Sequence, residues 1–355
     1  MAWRRLSCPR RVGAGRRAQR VCSETALSTS FIMVRDACAP TTRISACMRV
    51  SRSCAAMLPN STCTLLASGR SQLTAYQQLA THKWIKTQPA EQSLLVNIGA
   101  NSHRKVSRSD PDPSLRCVRL GWRSILVEPV PQNFEALKMT YQSELALQPS
   151  RFELIQAALC DGGCATGTMP IWFVDFSNAT GNWGTSESDA RCLNNSGHFS
   201  WVKEIASFSR AHVLRHSRLL SGGSRGRRRC AQCSMELNRA LPETCVTRAI
   251  VDNTRSLAVR CLCAETELRL RPSEPAVNLL VVDTEGFDFR VLAQYPFARL
   301  RTYRVIFEAI HLQQWEFVAA AELLHKHGFA HVSGGYRGNS VWHHRNAPSF
   351  DIRRE

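Results

Sequence analysis

The segment "NLLVVDTEGFDFRVL", residues 278–292, contains the pattern from which the architecture can be inferred. Its first five residues, Asn278 to Val282, are apolar apart from the asparagine and include two β-branched side chains, which predicts a buried strand. Asp283 and Glu285 follow, and Gly286 separates them from a helical pattern. In an open α/β sheet, ligands bind outside the carboxyl ends of the strands. The segment therefore predicts a strand that delivers two carboxylates to a binding site.

The same alternation of buried strand and helix continues on both sides of this segment. Three strands and their helices precede it, and a strand, a helix and a final pair of strands follow it. This alternation predicts an α/β fold with a doubly wound, mostly parallel sheet. The further predicted strands are "SLLVNIG" (93–99), "RSILVEP" (123–129), "RFELIQAALCD" (151–161), "TYRVIFE" (302–308), "FAHVSGG" (329–335) and "NSVWHHR" (339–345).

Polar residues stand at the ends of several predicted strands. Asn97 and Gly99 close the first, Glu128 the second, Asp161 the third, and Glu308 a later one. Because the carboxyl ends of parallel strands share one edge of a sheet, we expect these residues to line one crevice. Gly99 would allow a tight turn close to a ligand, and Glu128 is placed to bind ribose hydroxyls. The turn is not a G-x-G-x-x-G fingerprint, and no Walker-type loop is present, so phosphate cradling is not indicated.

Five segments occur in an order that resembles the FkbM-type S-adenosylmethionine-dependent methyltransferases: "VNIGAN", "LVEPVPQNFEAL", "AALCDGG", "LLVVDTEGFDFRVL" and "VIFEAIH". The resemblance spans about residues 93–345 and is most specific in the E-P-x-P-x-x-F-x-x-L run (128–137) and the D-x-E-G run (283–286). It implies a seven-stranded, Rossmann-like class I methyltransferase fold, with S-adenosyl-L-methionine as the cofactor over the early strands.

The resemblance also implies which residues contact the cofactor. Asn97, Gly99 and Asn101 would contact its methionine part. Glu128 would bind the ribose, and Asp161 or its neighbour would contact the adenine. Asn97 stands where the family usually has aspartate, and residues 102–103 where it usually has a second glycine. These departures leave open an alternative, a catalytically inactive binding protein with the same fold.

On the acceptor side, the resemblance implies that Asp283 and Glu285 face the transferred methyl group. They would orient, and could deprotonate, a hydroxyl group of a small-molecule or carbohydrate acceptor. His311 follows the strand that ends at Glu308, so it would assist acid–base chemistry or serve as a hydrogen-bonded structural imidazole. Trp183 is a candidate wall of the acceptor pocket, in a segment that also reads as an ordinary loop. The sequence does not identify the acceptor or the oligomeric state.

Half of the net charge of +18 lies in residues 1–52, which contain 11 arginines and two acidic residues. We expect residues 1–70 to be a disordered basic leader ahead of a methyltransferase domain at 71–350. The Arg- and Ser-rich leader resembles an organelle transit peptide, which would direct the protein to a chloroplast or mitochondrion. Without such targeting we expect a cytoplasmic protein. The uneven charge disfavours a nucleic-acid partner, and no apolar run reaches the roughly 18 residues of a membrane span.

A long interruption at about 170–275 separates the two halves of the predicted sheet and contains most of the later cysteines. We expect an insertion with one or two strands and a helix, which would either cover the active face or form a flexible surface excursion. The spacing at Cys230, Cys233, Cys245, Cys261 and Cys263 leaves zinc ligation, disulfides and free thiols open. The basic run at 224–229, read as a solvated loop, keeps an RNA- or zinc-associated module at 220–263 as a further alternative. Outside the cysteines, no metal ligand is predicted.

Overall fold

The computed structural model describes residues 75–101, 113–160, 167–175, 205–221, 224–236, 238, 240, 245–268, 276–336 and 338–347. All of them belong to one unit of the chain, Pro59–Glu355. The predicted leader, 1–70, and Trp183 lie outside the described residues, so those predictions stay predictions. No helix in the described ranges is long and apolar enough to cross a bilayer.

Ten strands are formed by the described residues. They are β1 Leu94–Ile98, β2 Arg123–Val127, β3 Phe152–Ile155, β4 Thr168–Val174, β5 Ala206–Ser207, β6 Thr254–Arg260, β7 Val277–Val282, β8 Thr302–Glu308, β9 Phe329–Gly334 and β10 Asn339–His344. Seven of them make one sheet in the order β3-β2-β1-β7-β8-β10-β9. The five strands from β3 to β8 in that order pair in parallel, whereas β10 is antiparallel to both of its neighbours. The prediction of a mostly parallel, seven-stranded α/β sheet is confirmed.

The central strands are buried along their whole length because both faces of the sheet are covered. Every residue of β1 and β7 is buried, which is typical of parallel strands with helices on both sides. On one face Val96 and Leu280 belong to a core that includes Phe317, and on the other Leu95 packs in a cluster with Trp84. Adjacent residues of a strand therefore enter different cores.

Ten α-helices connect and cover the strands in the described part of the chain. They are α1 Ala75–Thr87, α2 Pro113–Arg119, α3 Pro131–Thr140, α4 Gln142–Leu147, α5 Arg210–Ser221, α6 Ser224–Glu236, α7 Cys245–Asn253, α8 Ala264–Glu267, α9 Asp288–Gln294 and α10 Gln314–Lys326. Helix α3 begins at Pro131. Proline is favoured there because the N–H that it lacks would have no partner within the first turn of a helix. Helix α10 begins with a capping box, in which the Gln313 N–H donates to Glu316 Oε2 at 2.9 Å.

The insertion contributes a second, smaller sheet. It is antiparallel in the order β5-β4-β6, and helices α5 to α8 accompany it. The insertion therefore contains more secondary structure than predicted, with three strands and four helices in its described residues, and its first strand is Thr168–Val174. The basic run at 224–229 is also not a loop, because it forms the start of helix α6.

Candidate functional site

An open cleft lies at the carboxyl edge of the large sheet. Its empty space, counted out to the solvent, is about 820 Å³. One side is formed by the residues that follow β1, β2 and β7, and the other by Ile171 and residues 206–208 of the small sheet. The insertion therefore covers this edge, which is one of the two arrangements that the sequence left open.

The position of Gly99, directly after β1, must be occupied by glycine because the chain here contacts a neighbouring loop closely. Its φ of +86° is in the left-handed region, and a Cβ on it would lie 1.8 Å from the carbonyl oxygen of Asp283. The two loops are also joined by a hydrogen bond of 3.0 Å, which the Asp283 N–H donates to the Ile98 carbonyl. Gly99 lines the cleft as predicted. However, the close approach that excludes a side chain is to Asp283 rather than to a ligand.

Glu128 is buried directly after β2, and its carboxylate orders the loops around it. Oε2 accepts a hydrogen bond of 2.8 Å from the Asn101 N–H, and Oε1 accepts one of 2.9 Å from the Val130 N–H. Asn101 itself has a left-handed φ of 54°, which asparagine tolerates better than most residues. The structure thus brings Gly99, Asn101 and Glu128 to one cleft. Their contacts with a cofactor stay predictions.

Asn97 does not reach this cleft. Its side chain donates a hydrogen bond of 2.9 Å to Ser114 Oγ on helix α2, and it is buried on the sheet face opposite to Ile98. The physical reason is the alternation of side chains along a strand, because Asn97 lies inside β1 rather than at its end. This geometry therefore does not support a contact between Asn97 and a cofactor in the cleft.

The third predicted strand is shorter than expected. It ends at Ile155, not at Asp161, and Asp161 lies outside the described residues. Residues 157–159 continue along the cleft and form an apolar stretch of its wall. The chain leaves the sheet here because Ala158 pairs instead with Cys261 of the insertion. The described residues nearest to the predicted adenine contact are thus apolar. They were not predicted, because the prediction considered only polar residues at the ends of strands.

The D-x-E-G run forms a tight turn between β7 and α9. Glu285 and Gly286 have left-handed φ values of 52° and 90°. Buried Asp288 holds the turn, since its carboxylate accepts hydrogen bonds of 3.3 Å from the N–H groups of Thr284 and Gly286. Burial, and then the nearby charge of Asp283, raise the pKa of Asp288 well above its usual range. The turn directs Asp283 and Glu285 into the cleft.

Five side chains meet beside this turn, and we call them the carboxylate–imidazole cluster: Asp283, Glu285, Glu308, His212 and His311. Glu285 Oε2 lies 3.2 Å from Nε2 of His311 and 3.7 Å from Nε2 of His212. The Nε2 atom of His311 is also 3.6 Å from Oε2 of Glu308. Burial, followed by the charges of Asp283, Glu285 and Asp288, raises the pKa of Glu308 well above its usual range.

The turn glycine makes room for both imidazoles of this cluster. A Cβ on Gly286 would lie 3.1 Å from the ring of His212 and 3.3 Å from Cβ of His311. His311 was a predicted member of the site, but His212 was not, because it comes from helix α5 of the insertion. No local pattern in the sequence marks it. Nitrogen and oxygen ligands converge here, and the cluster is therefore the part of the described chain that could hold a metal ion.

The five cysteines at 230, 233, 245, 261 and 263 are in disulfides rather than in a zinc site. Cys160 is bonded to Cys261 and Cys230 to Cys245, and Cys233 and Cys263 are disulfide-bonded as well. This arrangement contradicts zinc ligation by these cysteines, because a sulfur atom in a disulfide is no longer a thiolate ligand. The zinc-associated alternative for 220–263 is therefore overturned.

Comparison with known proteins agrees with the geometry of the cleft. The model of the methyltransferase FkbM domain matches residues 97–330, which is more than half of the chain. No curated protein and no solved structure gives a significant match. The match includes the ends of β1 and β2, the D-x-E-G turn and His311, and the seven-stranded sheet is consistent with a methyltransferase fold. The chain therefore belongs to the FkbM methyltransferase family.

Proposed function

We propose that this methyltransferase transfers a methyl group from S-adenosyl-L-methionine to a hydroxyl group of a small molecule or carbohydrate. The observation that carries the proposal is that Glu128 and the turn with Asp283 and Glu285 line one cleft. A donor held at Glu128 and an acceptor held at the turn would share this cleft. The membership of the chain in a methyltransferase family supports the type of reaction.

The residues around Glu128 are suited to the donor. The Glu128 carboxylate directly follows β2 and lines the cleft, and it would accept hydrogen bonds from the two ribose hydroxyls. The apolar residues 157–159 line the same cleft and would pack against the adenine ring. Gly99 and Asn101 would border the methionine part, since both face the cleft beside the acceptor side.

The acceptor side is suited to handling a proton. S-adenosylmethionine would supply an electrophilic methyl group on a positively charged sulfur atom. Asp283 is exposed at the cleft and is our candidate base for the acceptor hydroxyl. Such a base contributes roughly 10²–10⁴-fold to a rate, and positioning of the two reactants contributes more. Glu285 and His311, whose facing atoms are 3.2 Å apart, would orient the acceptor.

The donor site can be tested by calorimetric titration of S-adenosylmethionine into the full chain. We expect binding that Glu128→Ala weakens at least about tenfold, because a good charge-assisted hydrogen bond contributes about 1.5–3 kcal/mol. Glu135→Ala is the matched control, since Glu135 is exposed and pairs only with Lys138 among the described residues. Glu128→Gln keeps the shape of the side chain but removes the charge and one of the two backbone hydrogen bonds, because only its amide oxygen can accept. Equal affinity in all four proteins would refute the donor site.

The acceptor side requires a separate measurement. We expect Asp283→Asn to leave S-adenosylmethionine affinity within about twofold and to lower turnover by roughly 10²-fold or more. Turnover can be measured as release of S-adenosylhomocysteine in the presence of a panel of sugars and other hydroxylated acceptors. If wild-type protein binds the donor but releases no product with any acceptor, the inactive binding protein becomes the better account. If Asp283→Asn turns over at the wild-type rate, Asp283 is not the base.

A further inference from the structure

The carboxylate–imidazole cluster is assembled from four separate parts of the chain. His212 comes from helix α5, Asp283 and Glu285 from the turn after β7, Glu308 from the end of β8, and His311 from the loop that follows. The ligating atoms of His212, Glu285 and His311 all lie within 4.8 Å of one another, and so do those of Asp283, Glu285 and Glu308. Glu285 belongs to both sets, and the Nε2 atom of His311 also lies 3.6 Å from Oε2 of Glu308, so the two sets adjoin each other.

The distances in the cluster fit ligands around an ion better than they fit hydrogen bonds. The Nε2 atom of His311 lies 3.2 Å from Glu285 Oε2 and 3.6 Å from Glu308 Oε2, and His212 Nε2 lies 3.7 Å from Glu285 Oε2. Nitrogen–oxygen hydrogen bonds are usually about 2.7–3.2 Å long. Ligands about 2.0–2.2 Å from a tetrahedral metal are roughly 3.3–3.6 Å from one another. Two of the three distances are therefore too long for a hydrogen bond and close to ligand spacing.

A second observation is the position of the Glu308 carboxylate. Its Oε2 atom is buried and has no hydrogen-bond partner among the described residues. A buried carboxylate oxygen without a partner is costly, and the nearest basic group described for it is the His311 imidazole at 3.6 Å. A cation between Glu308, Glu285 and the two imidazoles would bind this oxygen and would also offset the repulsion between the carboxylates.

We propose that His212, Glu285, Glu308 and His311 form a binding site for one divalent transition-metal ion, with Asp283 at its rim. Imidazole nitrogen is a good ligand for zinc, iron and related ions, whereas Mg²⁺ and Ca²⁺ prefer sites made only of oxygen. The mixed nitrogen and oxygen set therefore favours an ion such as Zn²⁺ or Mn²⁺ over Mg²⁺. The site adjoins the cleft, since Asp283 and Glu285 line both.

The ion would have a direct use at this position. This part of the inference rests on the proposed methyl transfer to a hydroxyl group, whereas metal binding does not. An acceptor oxygen bound to the ion would lose its proton more readily, because a bound cation lowers the pKa of a coordinated hydroxyl. Glu285 and His311 would then act through the ion, and Asp283 at the rim would receive the proton.

Binding can be measured on the full chain after treatment with a chelator and dialysis. In a titration with Mn²⁺, electron paramagnetic resonance measures the ion that remains free. The bound ion is then assigned to this site rather than to thiols, because manganese prefers harder ligands than sulfur. Calorimetric titration with Zn²⁺ gives an independent affinity, and Mg²⁺ serves as the comparison ion. We expect one Mn²⁺ per chain in competition with Zn²⁺, with Mg²⁺ much weaker than either.

Two ligand variants and one matched control make the test specific. His212→Ala and Glu308→Gln should each weaken Mn²⁺ binding by at least about tenfold, since even loss of an outer-shell partner costs about 10–100-fold. His344→Ala should bind as wild type does, because β10 runs antiparallel to β8 and places His344 at the opposite edge of the sheet. Glu308→Gln changes little volume, so it keeps the test valid if His212→Ala does not fold.

The outcomes separate this proposal from the proposed function. Absence of Mn²⁺ and Zn²⁺ binding, or equal binding in all the variants, would overturn the metal site. S-adenosylmethionine titrated into the chelated protein tests the donor site on its own. Donor binding without metal binding would refute only the ion, and metal binding without donor binding would refute only the methyl transfer.

Discussion

Substitution of Gly99 by alanine tests the contact between the loops that follow β1 and β7. The added Cβ would lie 1.8 Å from the Asp283 carbonyl oxygen, although 3.0 Å is about the closest that real Cβ atoms approach. The φ of +86° alone costs about 1–2 kcal/mol for a residue with a side chain. The loops must also separate. This movement strains three hydrogen bonds, Asp283 N–H to Ile98 and the N–H groups of residues 99 and 100 to Val127, each contributing about 1 kcal/mol.

The expected loss is therefore about 3–5 kcal/mol of unfolding free energy, a large part of the stability of a typical domain. Gly328→Ala is the matched control, because its φ is +84° but the nearest atom to its Cβ is the end of the His344 side chain at 3.0 Å. That side chain can move, so the control should lose only about 1–2 kcal/mol.

Urea unfolding followed by circular dichroism would measure both variants against the wild type, with the slope of free energy against urea as a check on the transition. We expect Gly99→Ala to be less stable than Gly328→Ala by about 2 kcal/mol or more. It should also weaken the binding of S-adenosylmethionine, which Gly328→Ala should not affect. Equal losses of stability in the two variants would show that the loops do not meet as closely as described.

Two further predictions concern stability. Burial lowers the pKa of both His331 and His343 to about 4. The unfolded chain therefore binds protons at these rings at a higher pH than the folded protein does. The free energy of unfolding is at its full value above pH 6.5 and decreases as the pH falls from 6.5 to 4. Water reaches part of each ring, so we expect each histidine to account for a loss of about 1 kcal/mol in the free energy of unfolding. In His331→Gln and His343→Gln, the midpoint of chemical unfolding should therefore decrease less between pH 6.5 and pH 4 than it does in the wild type. An unchanged decrease would contradict the assignment. The disulfide between Cys160 and Cys261 closes a sequence separation of 101, and the one between Cys230 and Cys245 a separation of 15. Replacing both cysteines of the first pair by serine should therefore cost about 4–5 kcal/mol, against about 3 kcal/mol for the second pair. A smaller loss from the long loop than from the short one would refute that ranking.

Much of the sheet could be predicted because its strands carry local signals. The apolar runs of β1, β2, β7 and β8 are buried on both faces, so their sequences are continuous rather than alternating. The D-x-E-G turn and Glu128 follow their strands directly, so their positions at the cleft followed once the strands were known.

The sequence was least informative where the place of a residue depended on more than its neighbours in the chain. Asn97 is only two positions before Gly99, yet it faces helix α2, because the phase of β1 sends alternate side chains to opposite faces. The third strand was drawn as far as Asp161, but pairing of Ala158 with Cys261 takes the chain away from the sheet after Ile155. That pairing involves residues about a hundred positions apart, and no local pattern encodes it.

The sequence by itself determined the alternation of strands and helices, the apolar core of the sheet, and the acidic residues that follow its strands. Only the tertiary structure decided that His212 of the insertion meets Glu285 and His311 beside the cleft, and that the cysteines pair with one another instead of binding zinc. The physical reason is the range of the interactions. Secondary-structure propensity and the burial pattern depend on residues that are close in sequence. A cluster or a disulfide instead requires distant segments to meet, and only the packing of the whole unit brings them together.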